Sequence, residues 1–464
     1  MPAYTADECD VAVIGAGVVG AAIARALALA GASVIVLERA PEVLDGASKA
    51  NSAILHTGFD APVGSLEQRL VAAGRAEYLD IAPRLGLPVL NSGALVIAWT
   101  PEEEAALPRL MAQAAANGVD VEWLDRFALR AAEPGLGPAA RAGFRVAGEY
   151  LIDPWSTAHA YLLQAIAHGA QVRRGAPVAE GRFDGARWHL VTPQGPVCAR
   201  IVVNAAGLFG DRVNARLGLP RDFTIRPRKG QFIVYDKPAY ALARHILLPV
   251  PSGVTKGIVV CRTIWGNLLV GPTAEEQDDR EVAALDSATL AGLRDKGAAI
   301  LPALADQAVT AVYAGLRPAT EFKEYRISSH DDRQAITVGG IRSTGLSAAL
   351  GIGAHVADLV AGFGRRWTAP VPDWPQVPNI SEVAPRDWQQ PGHGGIICHC
   401  EMVTRREVEA ALSGPLPATT MAGIKRRTRA TMGRCQGFNC LATLAQITAG
   451  RLAVPIGVPA GADD

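Results

Sequence analysis

The chain has no excess of charge of either sign. Lys and Arg together number 45, as do Asp and Glu, so the formal net charge is zero over 464 residues. A neutral chain has no overall field that would draw it to nucleic acid or to an anionic membrane surface. This balance excludes a general polyanion-binding protein, and any electrostatic argument has to be local.

Long apolar runs and a secretory leader are also lacking. Residues 1–8 do not have the basic and then apolar order of a signal peptide, and the longest apolar helix candidate, Val18 to Ala30, is too short to span a bilayer. We therefore expect a cytoplasmic protein without a transmembrane segment. The length predicts about three domains, and the apolar content is sufficient for a large core.

Cysteine is scarce, and its placement is uneven. Three of the seven cysteines are scattered, whereas four crowd together near the end, in the order Cys398, Cys400, Cys435 and Cys440. Such spacing suits metal ligation in a reducing compartment better than a disulfide framework.

The chain opens with the pattern of a dinucleotide site. Residues 10–14 predict a buried strand, which Gly15, Gly17 and Gly20 lead directly into an apolar helix. Gly15 suits the tight turn, Gly17 lets the backbone approach a pyrophosphate, and Gly20 lets the helix pack on the strand. A second strand then delivers Glu38, whose carboxylate suits ribose hydroxyls. This motif alone leaves FAD and NAD open.

Three further stretches favour FAD. Asn204 to Gly207 follows an apolar strand with small residues that permit close approach to a cofactor. The glycine-rich loop 339–345 enters another helix, whose positive end suits the anionic edge of a reduced flavin ring. A polar loop, Asn51 to Gly58, lies where it could reach the same ring.

These motifs, together with Gly266 to Pro272 and Gly315-Leu-Arg317-Pro, resemble the FAD-dependent D-amino-acid oxidase and glycerol-3-phosphate dehydrogenase superfamily over about residues 8–365. They are similar in particular to the branch containing the catalytic subunit of anaerobic glycerol-3-phosphate dehydrogenase and the L-2-hydroxyglutarate oxidases. The resemblance implies an α/β and α+β protein. A Rossmann-type FAD-binding domain (8–85, 145–215 and 325–365) would interleave with an antiparallel-sheet substrate domain (86–144 and 216–324).

The motifs and the resemblance together define a predicted FAD site. Its members are Gly15, Gly17, Val18, Gly20, Glu38, Arg39, Asn51, Ser52, His56, Val178, Ala206, Gly207, Arg342, Gly345 and Leu346.

The middle of the chain, from Phe223 to Ala319, has the alternating pattern of sheet strands that can line a pocket on one face. In the resembling family the arginine of Gly-Leu-Arg-Pro holds a substrate carboxylate or phosphate, which implies this role for Arg317, with Lys256 or Arg262 assisting. A structural salt bridge is the alternative for Arg317. The L-2-hydroxyglutarate oxidases place a histidine where this chain has Val259, so the resemblance to them is weaker at that point.

His56 is the predicted catalytic base. Imidazole titrates near neutrality and can take the proton from a substrate hydroxyl as hydride leaves the adjoining carbon. A purely structural histidine beside the ring is the alternative.

A Pro-rich segment, 366–393, predicts a linker or a strap packed on the main body. Beyond it, in 394–452, each cysteine pair is predicted at the entrance of a helix, where free backbone N–H groups can donate to thiolates. Thr404 and Glu407 form a capping-box pattern for the first of these helices.

The cysteine spacing and the residues from Thr428 to Gly437 resemble the bacterioferritin-associated ferredoxin type of 2Fe-2S domain. Structural zinc is the alternative, although zinc sites favour other spacings. A local excess of basic residues is consistent with an anionic cluster. These residues are Lys425, Arg426, Arg427, Arg429 and Arg434.

The leading hypothesis is an FAD-dependent dehydrogenase that oxidises a small anionic 2-hydroxy acid or a polyol phosphate, with electrons leaving through the cluster to a redox partner. A hetero-oligomeric dehydrogenase complex fits this hypothesis. An amine or amino-acid dehydrogenase subunit, with opines, proline-like compounds or glycine as substrate, is the first alternative. A non-catalytic electron-transfer subunit is the second.

Overall fold

The computed structural model describes residues 6–251 and 257–457. The strands are β1 Asp7–Ile14, β2 Val34–Leu37, β3 Ile54–Leu55, β4 Val89–Leu90, β5 Ala94–Ala98, β6 Glu122–Leu124, β7 Ala142–Val146, β8 Tyr150–Ile152, β9 Gln171–Arg173, β10 Glu180–Phe183, β11 Trp188–Val191, β12 Val197–Asn204, β13 Ile225–Tyr235, β14 Ile246–Pro249, β15 Val259–Arg262, β16 Leu268–Gly271, β17 Glu275–Glu276, β18 Val309–Thr320, β19 Arg326–His330, β20 Ala335–Gly339, β21 Ile396–Cys398 and β22 Val403–Thr404.

The α-helices alternate with these strands. They are α1 Val18–Leu29, α2 Leu66–Leu85, α3 Pro101–Ala116, α4 Arg126–Ala132, α5 Pro154–Ala167, α6 Gly210–Arg216, α7 Ser287–Ile300, α8 Gly345–Gly362, α9 Arg405–Ala411, α10 Met421–Thr428 and α11 Leu441–Thr448.

The first sheet has the strand order β10-β11-β12-β1-β2-β9. Strand β20 pairs with the last residues of β12, beyond the part that pairs with β11. Strands β1, β2, β9, β12 and β20 run parallel to one another, so their carboxyl ends meet at one edge. Both faces of β1 are buried, because Val11 and Val13 pack towards the helices while Ala12 and Ile14 enter the core on the other face. Such a parallel sheet places its binding crevice at the carboxyl edge.

The turn after β1 requires glycine at two positions. Gly15 has a φ of +108°, and a Cβ there would lie 2.6 Å from the Ala205 carbonyl oxygen. A Cβ on Gly20 would lie 1.9 Å from the Gly15 carbonyl oxygen. The helix α1 can therefore pack closely on the strand that precedes it.

The second sheet, of nine strands, is mostly antiparallel and follows the order β17-β13-β16-β15-β14-β5-β7-β6, with β18 along β13. The strand predicted at Gln231 to Tyr235 is the end of the longer β13, and β15 begins two residues later than the predicted Gly257. A small third sheet, β3-β8-β4, connects the two larger ones. The domain boundaries expected from the sequence stay a prediction.

The longest apolar helix is α8, not α1 as the sequence pattern suggested. By length and composition alone α8 could cross a bilayer. It packs between α1 and α2 in the hydrophobic core on one face of the first sheet, here called the first core. Its glycines and small residues interrupt the continuous apolar run by which such a helix is found in a sequence.

The Pro-rich segment, residues 366–393, is a strap packed on the main body. The Val377 amide donates to the Leu85 carbonyl over 3.1 Å, and the Glu382 amide donates to the Ile264 carbonyl over 2.9 Å. Gln164 donates to the Asp373 carbonyl over 2.6 Å. The strap thus contacts α2, α5 and the loop after β15 before the chain reaches β21.

Candidate functional site

A cavity of about 640 Å³ opens at the carboxyl edge of the first sheet and extends under the second sheet. Its size is that of a cofactor or ligand pocket. Most of the residues predicted to hold FAD line it. They are Gly15, Gly17, Val18, Gly20, Glu38, Arg39, Asn51, Ser52, Val178, Ala206, Gly207, Arg342, Gly345 and Leu346.

Glu38 is a buried acceptor at one end of the cavity. Its Oε2 accepts from the Ala16 amide over 2.8 Å, and its Oε1 accepts from the Ala40 amide over 2.9 Å. Burial raises the pKa of this carboxyl above its ordinary value. The two backbone bonds fix the carboxylate and leave lone pairs for the hydroxyls of a ribose.

Two helix N-termini face the same cavity. In neither α1 nor α8 does the N-cap residue's side chain accept a hydrogen bond from the first-turn amides. Neither helix has an acidic residue in its first turn. Gly207, with a φ of +51°, would bring an added Cβ within 4 Å of no other atom, so the wall is open there. The positive end of a helix suits the pyrophosphate at α1 and the electron-rich ring edge at α8, and the residues present therefore fit FAD.

Arg317 brings a cation to the wall of the cavity. Its guanidinium donates to three backbone carbonyls, those of Arg228 (3.4 Å), Lys229 (3.2 Å) and Thr273 (2.6 Å). Burial and the neighbouring Arg228 lower the pKa of Arg317 to about 10. Within 6–251 and 257–457, no carboxylate lies at salt-bridge distance from it. An arginine held in this way, without a carboxylate at salt-bridge distance among the described residues, suits an anionic ligand.

His56 stands beside the cavity rather than among its lining residues. Its amide donates to the Ser347 hydroxyl over 2.8 Å, one residue beyond the lining Leu346. Its Nδ1 lies 2.8 Å from Oε2 of Glu149, whose side chain is fully buried.

Glu149 is a residue that sequence reasoning missed. Its Oε1 accepts from both the amide and the hydroxyl of Thr57, each over 2.7 Å. The Glu149 carboxylate thus accepts from three donors of this loop, which are His56 Nδ1, the Thr57 amide and the Thr57 hydroxyl. The sequence carries no signal for this contact, because Glu149 precedes β8 and lies far along the chain from His56.

Of the other two predicted cations, Arg262 does not join this group. Arg262 donates to the Tyr240 carbonyl over 3.2 Å and lies over the Tyr240 ring at 4.4 Å, away from the cavity. The alternation along β15 and the pull of the aromatic face account for this direction. Lys256 lies outside the described residues.

The four clustered cysteines come together in the fold. The thiol of Cys400 contacts that of Cys435, and the thiol of Cys440 contacts that of Cys398. None of the seven cysteines forms a disulfide. No three His, Cys, Asp or Glu side chains of the described residues surround a single-ion site. Two thiol pairs suit a dinuclear centre, in which each iron takes two thiolates, better than one zinc ion.

The second cysteine pair lies at a helix entrance, but the first does not. Cys440 caps α11, and N–H groups of Asn439, Gly437 and Phe438 hold the pKa of the Cys435 thiol below its ordinary value. Cys398 instead ends β21, and Cys400 lies in the turn before β22. The chain pairs as a short hairpin before α9 begins, so the expectation of a helix entrance for the first pair is wrong. The Thr404–Glu407 capping box is present.

Four of the five basic residues near the cluster make ion pairs. Arg426 pairs with Asp45 (3.4 Å), Arg427 with Glu42 (3.0 Å), Arg429 with Glu401 (2.9 Å) and Arg434 with Asp236 (3.1 Å). Three of these carboxylates belong to the main body. The basic excess therefore holds the C-terminal domain in place, and compensation of an anionic cluster does not account for it.

The cavity lies at the carboxyl edge of a parallel sheet, and an antiparallel sheet that carries Arg317 covers it. This arrangement is typical of a flavin-dependent oxidoreductase. The chain belongs to the FAD dependent oxidoreductase family, whose profile matches residues 10–359. The profile of the BFD-like 2Fe-2S binding domain matches residues 396–449. The protein is an FAD-dependent enzyme with a 2Fe-2S domain, which confirms the fold class and the cofactors expected from the sequence.

Two glycerol 3-phosphate dehydrogenase relatives align with nearly the whole chain. The chain is 30% identical to a glycerol 3-phosphate dehydrogenase of Caloramator mitchellensis, over 96% of this chain and 95% of that one. It is 26% identical to one subunit of the anaerobic glycerol-3-phosphate dehydrogenase of Escherichia coli, over 95% and 88%. Among solved structures, the FAD-bound L-alpha-glycerophosphate oxidase of Mycoplasma pneumoniae superposes with a TM-score of 0.74 at 25% identity, covering 79% of this chain and 97% of that one.

Proposed function

We propose that the protein is a dehydrogenase of glycerol 3-phosphate or a closely similar small polyol phosphate. The observation that carries the proposal is Arg317, a cation that backbone carbonyls hold at the cavity wall, with no described carboxylate at salt-bridge distance. The activities of the relatives in Caloramator and Escherichia support the same substrate class.

In this proposal Arg317 binds the phosphate and so orients the hydroxyl-bearing carbon. His56 accepts the hydroxyl proton at Nε2, since a proton on Nδ1 is held by Glu149. Glu149 itself is a positioning residue, because it acts through His56. When bound, FAD supplies the acceptor for the hydride.

The 2Fe-2S domain supplies a route for single electrons to leave. Cys398, Cys400, Cys435 and Cys440 are the proposed ligands. The Escherichia coli relative is named as part of a larger enzyme, which supports a redox partner protein for this chain as well. A cytoplasmic location stays a prediction.

The test is an anaerobic substrate screen with the purified holoenzyme, followed by the bleaching of the flavin absorbance. Glycerol 3-phosphate should bleach the flavin fast, and glycerol at the same concentration should not. Glycine, proline and 2-hydroxyglutarate serve as competitors from the neighbouring branches. Bleaching by an amino acid but not by glycerol 3-phosphate would overturn the proposal in favour of amine oxidation, and no bleaching by any compound would favour a non-catalytic subunit.

A further inference from the structure

Two buried indoles stack between the cavity and the 2Fe-2S domain. The ring centroids of Trp155 and Trp265 lie 4.5 Å apart, and the planes are inclined by 20°. Trp155 belongs to the first turn of α5, and Trp265 to the loop between β15 and β16. Both residues are buried. The substrate and proton chemistry described above does not use either ring.

One end of the stack touches the wall of the cavity. Pro154, the residue before Trp155, lines the cavity, as does Lys49. The indole Nε1 of Trp155 donates to the Lys49 carbonyl over 3.1 Å. The Trp155 ring is therefore tied to the cavity by a covalent neighbour and by a hydrogen bond.

The other end of the stack touches the 2Fe-2S domain. The guanidinium of Arg429 lies over the Trp265 ring, 4.6 Å from its centroid, and Met432 packs against the same pair of indoles. Arg429 Nε donates to Oε2 of Glu401 over 2.9 Å. Glu401 directly follows Cys400 in the chain. The contacts thus run without a break from the cavity wall to a proposed cluster ligand.

Packing alone does not explain an indole at position 265. Its Nε1 is buried and has no acceptor among the residues that the structure describes. A buried donor without an acceptor is destabilising. A phenyl ring could stack on Trp155 without that cost. The larger π system at this junction points to a use beyond filling space.

We propose that the Trp155–Trp265 stack is the electronic contact between the flavin cavity and the 2Fe-2S cluster. The inference rests on the proposed dehydrogenase function. Oxidation of the alcohol carbon to a carbonyl releases two electrons and two protons. The electrons pass one at a time across the stack to the cluster, and two molecules of an external one-electron acceptor are reduced for each substrate. The indoles themselves are not oxidised, because they serve only as the medium between the two centres.

The test replaces Trp265, which does not line the cavity, by Leu and by Phe in the full-length holoenzyme. Flavin bleaching by glycerol 3-phosphate is followed by stopped flow, and the reduced cluster is followed by freeze-quench electron paramagnetic resonance. In Trp265→Leu we expect an unchanged bleaching rate and cluster reduction slower by roughly tenfold or more. Trp265→Phe should restore part of the rate, because an aromatic ring, although a smaller one, again meets Trp155.

The matched control is Trp374→Leu. Trp374 also carries an arginine over its ring, Arg84 at 4.8 Å, but it belongs to the strap and packs on the first core. This control should leave cluster reduction unchanged. Cluster reduction at the wild-type rate in Trp265→Leu would overturn the proposal. Equal slowing in Trp265→Phe or in Trp374→Leu would also overturn it, because a general loosening of the domain contact would then explain the effect.

Failure of the proposed function can be told apart from failure of this inference. If glycerol 3-phosphate does not bleach the wild-type flavin, the flavin can be reduced by light with a sacrificial donor, and the same variants can be compared. Slow reduction of the cluster in Trp265→Leu under these conditions supports electron passage through the stack, whatever the substrate is. Iron and sulfide contents equal to the wild type are required of each variant, so that a missing cluster is not mistaken for a slow one.

Discussion

Glu149 Oε2 lies 2.8 Å from Nδ1 of His56, and the carboxylate is fully buried. Its second oxygen accepts both donors of Thr57, so the whole loop is fixed from one point. This arrangement holds a proton on Nδ1 and leaves Nε2 free to accept one. It is the arrangement expected of a general base beside a flavin cavity.

Replacing His56 by Gln should lower kcat by roughly 10²-fold or more, because the hydroxyl proton loses its acceptor. Glu149→Gln should lower kcat by about tenfold with little change in KM, since it weakens the contacts that hold the His56 ring and its loop but leaves the proton acceptor in place. Steady-state kinetics with a dye acceptor measures both. The control is His245→Gln, because His245 makes a similar pair with buried Glu133 at 3.1 Å outside the cavity. Nearly full turnover in His56→Gln would instead favour amine oxidation.

Arg317→Ala should raise KM for glycerol 3-phosphate by roughly 10- to 100-fold, the value of a lost charged hydrogen bond. Arg317→Lys should recover only part of the affinity, because an ammonium cannot keep the contacts to the backbone carbonyls and also present a donor to the phosphate in the same geometry. Arg262→Ala is the matched control, since Arg262 belongs to the same sheet but lies on Tyr240. An equal rise of KM in Arg262→Ala would contradict the placement of the phosphate at Arg317.

Cys440→Ser should lose iron and acid-labile sulfide together while FAD stays bound, because the thiolate is a proposed ligand in a domain apart from the flavin cavity. Metal and sulfide analysis beside the flavin spectrum measures this. Cys261→Ser, at a fully buried thiol in β15, should keep both cofactors. Zinc without sulfide in the wild-type protein would refute the cluster.

Gly423→Ala should weaken the contact between the C-terminal domain and the main body. A Cβ at Gly423 would lie 2.0 Å from Oε2 of Glu42, the partner of Arg427. Overpacking of this kind costs about 1–3 kcal/mol, which thermal unfolding would detect as a lower Tm. Gly292→Ala is the control, because Gly292 in α7 has no neighbour within 4 Å, and it should be neutral or stabilising. Equal Tm values for the two variants would argue against a tight contact at Gly423.

Local patterns predicted the parts of the site that one stretch of chain builds. The turn at Gly15, the acid at Glu38 and the Thr404 capping box depend on spacing within a few residues or one βαβ unit, and the structure has them. Glu149, by contrast, reaches His56 through the pairing of β3 with β8, which no local pattern encodes. The same holds for Glu42 and Asp45, which meet Arg427 and Arg426 only after the chain has folded back over the first sheet.

The sequence also does not show in which direction a side chain on a strand points. Arg262 is the last residue of β15 and Arg317 lies within β18 of the same sheet, yet only Arg317 lines the cavity. The face on which a side chain lies depends on the register of its strand, which the sequence pattern alone does not fix. The small α10 was missed because its eight residues carry three basic side chains and no long apolar face.

Electron passage from flavin to cluster is tested most directly by an anaerobic titration of the holoenzyme with glycerol 3-phosphate, with the flavin absorbance and the electron paramagnetic resonance of the cluster recorded on the same samples. We predict that the flavin bleaches and that the signal of a reduced 2Fe-2S centre rises with it. A bleached flavin beside a cluster that stays oxidised, while dithionite reduces that same cluster, would contradict the passage of electrons from one centre to the other.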